Sequence, residues 1–241
     1  MTDATNSGRV FLVDDDISIL KALTRLLKEA DFDVQAFQSP EDFLIHHDMK
    51  MPGCAVFDVC LGPHNGLDLL RALARSGQMR PTIFITGRGD IPTSVRAMKS
   101  GAIDFLTKPI QEADLIDAVR RGIERDRHDR EQGAKLAAIA KRLSSLTPKE
   151  SEVLTRVIAG RLNKQIAGEL GISEKTVKVH RGRVMTKMGV RTVADLVRTV
   201  EPTLIHLLSG GAVDQANGGP LVQQGTLPFE PSLDFFRPRP P

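Results

Sequence analysis

Short apolar runs alternate with amphipathic stretches over the first half of this chain. Val10–Val13, Val34–Phe37, Cys54–Phe57, Thr82–Ile85 and Phe105–Thr107 are each short enough for a buried strand. Each is followed by positions at helical spacing. Ile17–Glu29 places Leu20, Leu23, Leu26 and Leu27 on one face, and Pro40–His47, Leu67–Arg75, Pro92–Lys99 and Glu112–Arg125 follow the later runs. Ser39-Pro40-Glu41-Asp42 offers an N-cap, a proline at N1 and acids in the first turn. Five β-then-α units in series predict an α/β fold, a doubly wound five-stranded parallel sheet.

The pattern changes after residue 121. Residues 122–145 carry mixed charge with few apolar positions, as an exposed helix running on from the fifth unit would. Leu146 to Thr199 shows only helical periodicity and predicts a small all-α domain of four helices. Within it Ile166, Ala167 and Leu170 share one face of a short helix, Gly171 can end it in a left-handed cap, and Ser173 can cap the next. That next helix turns Val177, Val184 and Met188 inward, a helix-turn-helix pattern whose second helix is free to enter a major groove. Its outward side carries Lys175, Thr176, Lys178, Val179, Gly182 and Arg183, flanked by Lys164, His180, Arg181 and Lys187. Cations there can neutralise phosphate or read guanine, Thr and Val can touch a thymine methyl, and Gly182 permits close approach. A solvated basic hairpin is the plainer alternative. Residues 209–241, rich in Gly and Pro, are expected to be disordered.

Charge sharpens the division. The chain has 241 residues and a net charge of +3, but residues 1–120 hold 13 basic against 17 acidic side chains, a net of −4. Residues 141–200 hold 13 against 5, a net of +8, which suits a surface that meets a polyanion. No apolar run is long enough for a bilayer and the first residues do not read as a secretory signal, so no membrane partner and a cytoplasmic location are expected. Two cysteines, Cys54 and Cys60, give no disulfide framework and no metal-type pair.

Chemistry gathers where the expected strands end, which is where doubly wound sheets hold their ligands. Asp14 and Asp15 close the first strand, Asp58 the third and Thr86 the fourth, and Lys108 follows the fifth. Three carboxylates at one sheet edge repel, and Mg²⁺, which favours carboxylate and water oxygens and bridges to phosphate, resolves the repulsion. A lysine and a threonine hydroxyl opposite them suit the remaining phosphoryl oxygens, with Asp58 as nucleophile in an acyl phosphate. Taken singly each residue has an ordinary role: the Asp14-Asp15-Asp16 run is also a good helix start, and Lys108 a plain surface lysine. The joint spacing is more specific, with 43 residues from Asp15 to Asp58, 28 on to Thr86 and 22 on to Lys108.

The blocks FLVDDD, AVFDVCL, FITG and GAIDFLTKP, in that order, resemble the receiver domains of two-component response regulators over residues 8–127. The resemblance implies a CheY-like fold in which a sensor histidine kinase phosphorylates Asp58. Asp15, Asp58 and the Cys60 carbonyl would hold Mg²⁺ with Asp14 assisting, Thr86 and Lys108 would bind the phosphoryl group, Phe105 would be the aromatic switch, and Lys108–Pro109 would be cis. Two departures stand out: Gly62-Pro63 replaces the usual proline four residues past the phosphoacceptor, and Phe105 lacks a hydroxyl. Cys60 and Arg88 fall where the family tunes phosphate lifetime. LTPKESEVL and KMGVRTVADLVR, on either side of the helix-turn-helix, resemble the LuxR/NarL-type domain, and the chain to about residue 200 is similar to the FixJ-type branch. This implies a receiver at 8–124, a helical linker at 125–143 and a DNA-binding domain at 144–205 that pairs through a helix near Thr192–Val200. The expected protein is a transcription factor and not an enzyme, a homodimer when phosphorylated, with double-stranded DNA and RNA polymerase among its partners. Two rival readings are a docking module switched by protein contact, and an aspartate-based phosphotransferase acting on small molecules.

Overall fold

The computed structural model describes residues 8–76, 79–87 and 91–208. Arg88 and the 209–241 tail, both given expectations above, lie outside them. The chain divides into two units, with the boundary between Gly133 and Ala134.

In the first unit the expected strands form as β1 (Arg9–Val13), β2 (Asp33–Phe37), β3 (Gly53–Asp58), β6 (Thr82–Thr86) and β7 (Asp104–Thr107). All pair in parallel in the order β2-β1-β3-β6-β7, with Val13 opposite Phe57 and Thr86 opposite Thr107. Alternation along the pleat sorts the core into two layers. Phe11, Phe57 and Phe84 point to one face with Phe43 and Leu70, on the side of α2 (Pro40–His46) and α3 (Gly66–Arg75). Val10, Leu12, Cys54, Val56 and Ile85 point to the other, packed by Leu23 and Leu27 of α1 (Ile17–Glu29) and by Leu115 and Val119 of α5 (Glu112–Ser144). α4 (Ile91–Lys99) lies between β6 and β7 in sequence. The chain runs from β1 outward to β2 and then back past β1 to β3. Strand order therefore reverses between β1 and β3, and a crevice opens at their carboxyl ends.

A hairpin that the periodicity did not signal follows β3. β4 (Cys60–Leu61) and β5 (His64–Asn65) are antiparallel around Gly62-Pro63. Gly62 has φ +61°, and proline cannot follow it with a positive φ, so the turn has the type II′ signature.

The second unit packs α6 (Pro148–Ile158), α7 (Asn163–Leu170), α8 (Glu174–Met188) and α9 (Val193–Leu208) around Val153, Val157, Ile166, Val177, Val184, Met188, Leu196 and Val200. Local signals set the helix ends here, those at Gly171 and Ser173 as expected from the sequence. Thr147 and Glu150 form a reciprocal capping box at α6, Gly171 closes α7 at φ +64°, and Ser173 Oγ accepts from Thr176 N–H at the start of α8. Among the described residues no helix is long and apolar enough to cross a membrane.

Candidate functional site

The acidic run after β1 splits between two jobs. Asp16 caps α1, its carboxylate accepting from the Ser18 and Ile19 N–H groups. Asp14 and Asp15 are left for the crevice, Asp14 buried and Asp15 exposed. Asp58 reaches the same place from the end of β3, 7% exposed. One oxygen from each of Asp14, Asp15 and Asp58 can be chosen so that all lie within 4.8 Å of one another. Lys108, just past β7, closes the site: its ammonium donates to Asp58 Oδ2 at 2.6 Å and to Asp14 Oδ2 at 3.0 Å. Lys108–Pro109 is cis, as the resemblance implied. Thr86, at the end of β6, is buried beside them, and its carbonyl accepts from the Lys108 N–H at 2.7 Å.

Electrostatics are consistent with this packing. Burial pushes the Asp14 carboxyl up, against the Asp16 N–H and Lys108, which stabilise its charge. Burial also works against the Lys108 ammonium, yet its hydrogen bonds to Asp58 and Asp14 together outweigh it and hold Lys108 above the ordinary lysine value. Asp58 Oδ1 accepts from the Cys60 N–H at 3.1 Å, so the hairpin after β3 orients the carboxylate. α3 begins so close that a Cβ at Gly66 would sit 2.3 Å from the Asp58 carbonyl oxygen. Three hard oxygen donors of like charge, one of them exposed, fit a hydrated Mg²⁺ better than a softer metal. Phe105 lies half-buried on the edge strand β7 against the Phe84 layer, with no hydroxyl to bond.

The second unit presents the other surface. Lys175, Lys178, Val179, Gly182 and Arg183 are exposed along one side of α8, and Lys164 is exposed on α7. The remaining four expected contacts are half-buried and turn at least partly toward the domain itself. Thr176 Oγ1 lies 2.8 Å from Ser173 Oγ, Arg181 donates to Asn163 Oδ1 at 2.9 Å, and the His180 Nδ1 is buried without a partner. Lys187 donates to Glu150 Oε2 at 2.6 Å and to the Ser145 carbonyl at 2.8 Å. Helical spacing separates the face of α8 from its flanks, but it does not show which flanking groups are engaged within the domain.

Sequence reading also missed a polar cluster at the opposite end of the sheet. Arg80, 2% exposed, donates to the carbonyls of Asp48, Met51 and Gly53 and lies 4.0 Å over the Phe11 ring. Asp126 Oδ2 accepts from the Gly53 N–H at 2.8 Å and from Arg130 Nε at 2.6 Å, and Arg130 reaches the carbonyls of residues 49, 50 and 51. The packing of the first unit thus includes Asp126 and Arg130 of α5. Only the Asp126–Arg130 spacing, one helical turn, was a readable signal.

A parallel sheet in this strand order with a carboxylate cluster and lysine at its switch point is a receiver domain, here followed by a helix-turn-helix unit. Comparison with known proteins agrees. Residues 10–120 match the response regulator receiver domain family, and residues 144–200 match the bacterial regulatory proteins of the luxR family. The chain is 45% identical to Nodulation protein W of Bradyrhizobium diazoefficiens over 200 residues, 83% of this chain and 88% of that protein. It is 43% identical to the response regulator protein TmoT of Ectopseudomonas mendocina, covering 80% and 87%, and 37% identical to FixJ of B. diazoefficiens, covering 80% and 95%. Among solved structures, that of response regulator StyR aligns with a TM-score of 0.73 at 44% identity over 80% of this chain and 98% of that one. Full-length FixJ from B. japonicum aligns with a TM-score of 0.50 at 35% identity, over 83% and 99%. The chain belongs to the two-component response regulators that join a receiver to a LuxR-type DNA-binding domain, and it is a transcription regulator of that family.

Proposed function

We propose that Asp58 is the phosphoacceptor and that a sensor histidine kinase is its donor. The observation that carries this is Asp58 itself, held between Lys108 at 2.6 Å and the carboxylates of Asp14 and Asp15 at the switch point of the sheet. An Asp58 oxygen attacks the phosphorus of a phosphohistidine; the P–N bond breaks, its electron pair stays on the imidazole, and an acyl phosphate forms. Asp14, Asp15, Asp58 and the Cys60 carbonyl would hold Mg²⁺, which when bound supplies charge neutralisation for the phosphoryl oxygens. Lys108, already aimed at Asp58, supplies a second cation, and Thr86 a hydroxyl donor. In this reading the chemistry is confined to the protein's own Asp58, and the protein is a switch and not an enzyme acting on small molecules.

Phosphorylation draws Thr86 toward the phosphoryl group, Phe105 repacks beside it, and the population shifts to a form that dimerises. β6 and β7 place these residues near one another, Phe84 opposite Phe105 and Thr86 opposite Thr107, which supports such a coupling. A dimer sets two copies of α8 on adjacent half-sites of double-stranded DNA, with Lys175, Lys178, Val179, Gly182 and Arg183 facing the groove and Lys164 the backbone. Molar mass by light scattering tests the reading, with and without Mg²⁺ plus beryllofluoride, on wild type and Asp58→Ala. Wild type alone should double its mass; no response from either protein would overturn the phospho-switch and favour the docking-module reading.

A further inference from the structure

Helix α8 can read bases only if its axis is held still, because side chains on it must arrive within about 0.5 Å of their partners. Its core side, Val177, Val184 and Met188, fixes its depth in the domain. Apolar packing of this kind is non-directional and leaves pivoting about the contact weakly opposed. Directional bonds restrain it. Arg181 bonds to Asn163 near the middle of the helix, and three further bonds gather at its C-terminal turn.

Those three bonds all lead to the stretch from Arg142 to Glu150. Lys187 Nζ donates to Glu150 Oε2 at 2.6 Å and to the Ser145 carbonyl at 2.8 Å. The Glu150 side chain is 3% exposed, and the same Oε2 accepts from the Thr147 N–H at 2.9 Å in the capping box of α6. Arg142, in the last turn of α5, donates from Nη1 to the Met188 carbonyl at 3.0 Å. That carbonyl lies at the C-terminus of α8, where the helix dipole favours a cation. Gly189 completes the arrangement. It takes φ +68° to close α8, and a Cβ there would stand 3.3 Å from Arg142 Nη1.

We infer that Lys187 and Arg142 are positioning residues for the recognition helix, fixing its C-terminal turn to the α5–α6 junction, and that Lys187 is not a phosphate ligand. The lysine, its side chain 34% exposed, neutralises a buried carboxylate whose other partner is a backbone N–H, so its ammonium is engaged by the domain's own groups. The inference rests on α8 being the DNA-reading helix, and its test separates failure of that reading from its own.

The experiment uses the full chain in the presence of Mg²⁺ and beryllofluoride, with two probes. One is a duplex enriched from a randomised pool by the wild-type protein; the other is a mixed-sequence duplex of equal length. A phosphate ligand supports both equally, and its loss lowers the slope of log K against log[salt] by about 0.9. A positioning residue supports mainly the enriched duplex. Lys187→Met should therefore weaken the enriched duplex by ~tenfold and the mixed-sequence duplex by less than about twofold, with no change of salt slope. Glu150→Gln, which removes no positive charge, should shift affinity in the same direction. The double variant should be no weaker than Lys187→Met alone, as expected when two residues act through one bond. Arg142→Gln should show the same selective loss, and Arg142→Lys, which can still donate to the Met188 carbonyl, should recover part of it.

Equal loss on both duplexes with a reduced slope for Lys187→Met, and silence for Glu150→Gln, would overturn the inference and return Lys187 to the phosphate contacts. Losses that merely track the unfolded fraction, measured by circular dichroism at the assay temperature, would overturn it too. If wild type enriches no duplex at all, the DNA-reading assignment of α8 fails before any variant is made.

Discussion

Arg80 and Arg25 are both arginines in hydrogen bonds, and their surroundings give them different weight. Arg25 pairs with Glu29 on the open side of α1, with the two side chains 82% and 64% exposed, where solvent screening leaves little net gain. Arg80 is enclosed, holds the carbonyls of Asp48, Met51 and Gly53, and is pushed down to about 10 by burial. Arg80→Ala should cost the receiver about 2–4 kcal/mol, since it takes a donor from the buried Gly53 carbonyl and opens space beside Phe11. Arg25→Ala should leave the unfolding midpoint where it is; chemical denaturation of both variants checks the contrast. The two cysteines diverge in the same way. Burial pushes the Cys54 thiol up to about 12, while Cys60 is exposed beside the acid pocket. Iodoacetamide on the folded protein should give one adduct, at Cys60, and two only after denaturation. At this scale the acid pocket was fully legible, because Asp14, Asp15, Asp58, Thr86 and Lys108 each end or follow a strand that periodicity locates. The grip of Arg80 on residues 48–53 was not, because no local pattern links an arginine ahead of β6 to a loop ahead of β3.

Elements were legible in proportion to their length and repetition. The expected and observed limits of α1 coincide, and those of α2 and α3 differ by a residue at one end. The hairpin of β4 and β5 escaped notice because two residues per strand carry no period, although Gly62-Pro63 marked the turn. α5 runs as one helix through the stretch of mixed charge, and Gly122 shows why its early part sits so close to β3: a Cβ there would be 2.8 Å from the Cys54 Cβ. The start of α6 yields a prediction in pH. Its Glu150 carboxyl is held below its ordinary value, near 4.5, chiefly by the Lys187 hydrogen bond and then by the Thr147 N–H. A carboxyl whose pKa falls on folding adds stability above its unfolded value, and that stability is lost as pH drops through the folded value. The melting point of the helical unit should thus fall more steeply in wild type than in Glu150→Gln as pH is lowered from about 4.5, read by circular dichroism across an acid series.

The molecule as a whole carries separate hydrophobic cores. Those flanking the sheet share no residue with the one among α6 to α9. Two thermal transitions are therefore expected, and a ligand specific to the acid pocket should move only one of them. Mg²⁺ with beryllofluoride at a hundredfold over its dissociation constant should add about 2.7 kcal/mol to the receiver transition alone. Asp58→Ala should abolish that shift. Calorimetry on both proteins provides the check, and an equal displacement of both transitions would contradict independent cores.

The sequence by itself determined the five β-then-α units, the residues of the acidic pocket, the helix-turn-helix and, by resemblance, the family. The first three rest on local signals, period and capping, or on residues at the ends of elements that such signals locate, and the family rests on the resemblance of motif blocks in order. Tertiary structure decided which charges are free to act. Lys175, Lys178 and Arg183 remain exposed on α8, whereas Lys187, one turn past Arg183, is committed to Glu150. Asp14 and Asp15 face the crevice, whereas Asp16 caps α1. Neighbouring residues of one type take different roles because the charge of each is settled by what the rest of the fold brings within hydrogen-bond reach, and that reach crosses dozens of residues that no local pattern spans.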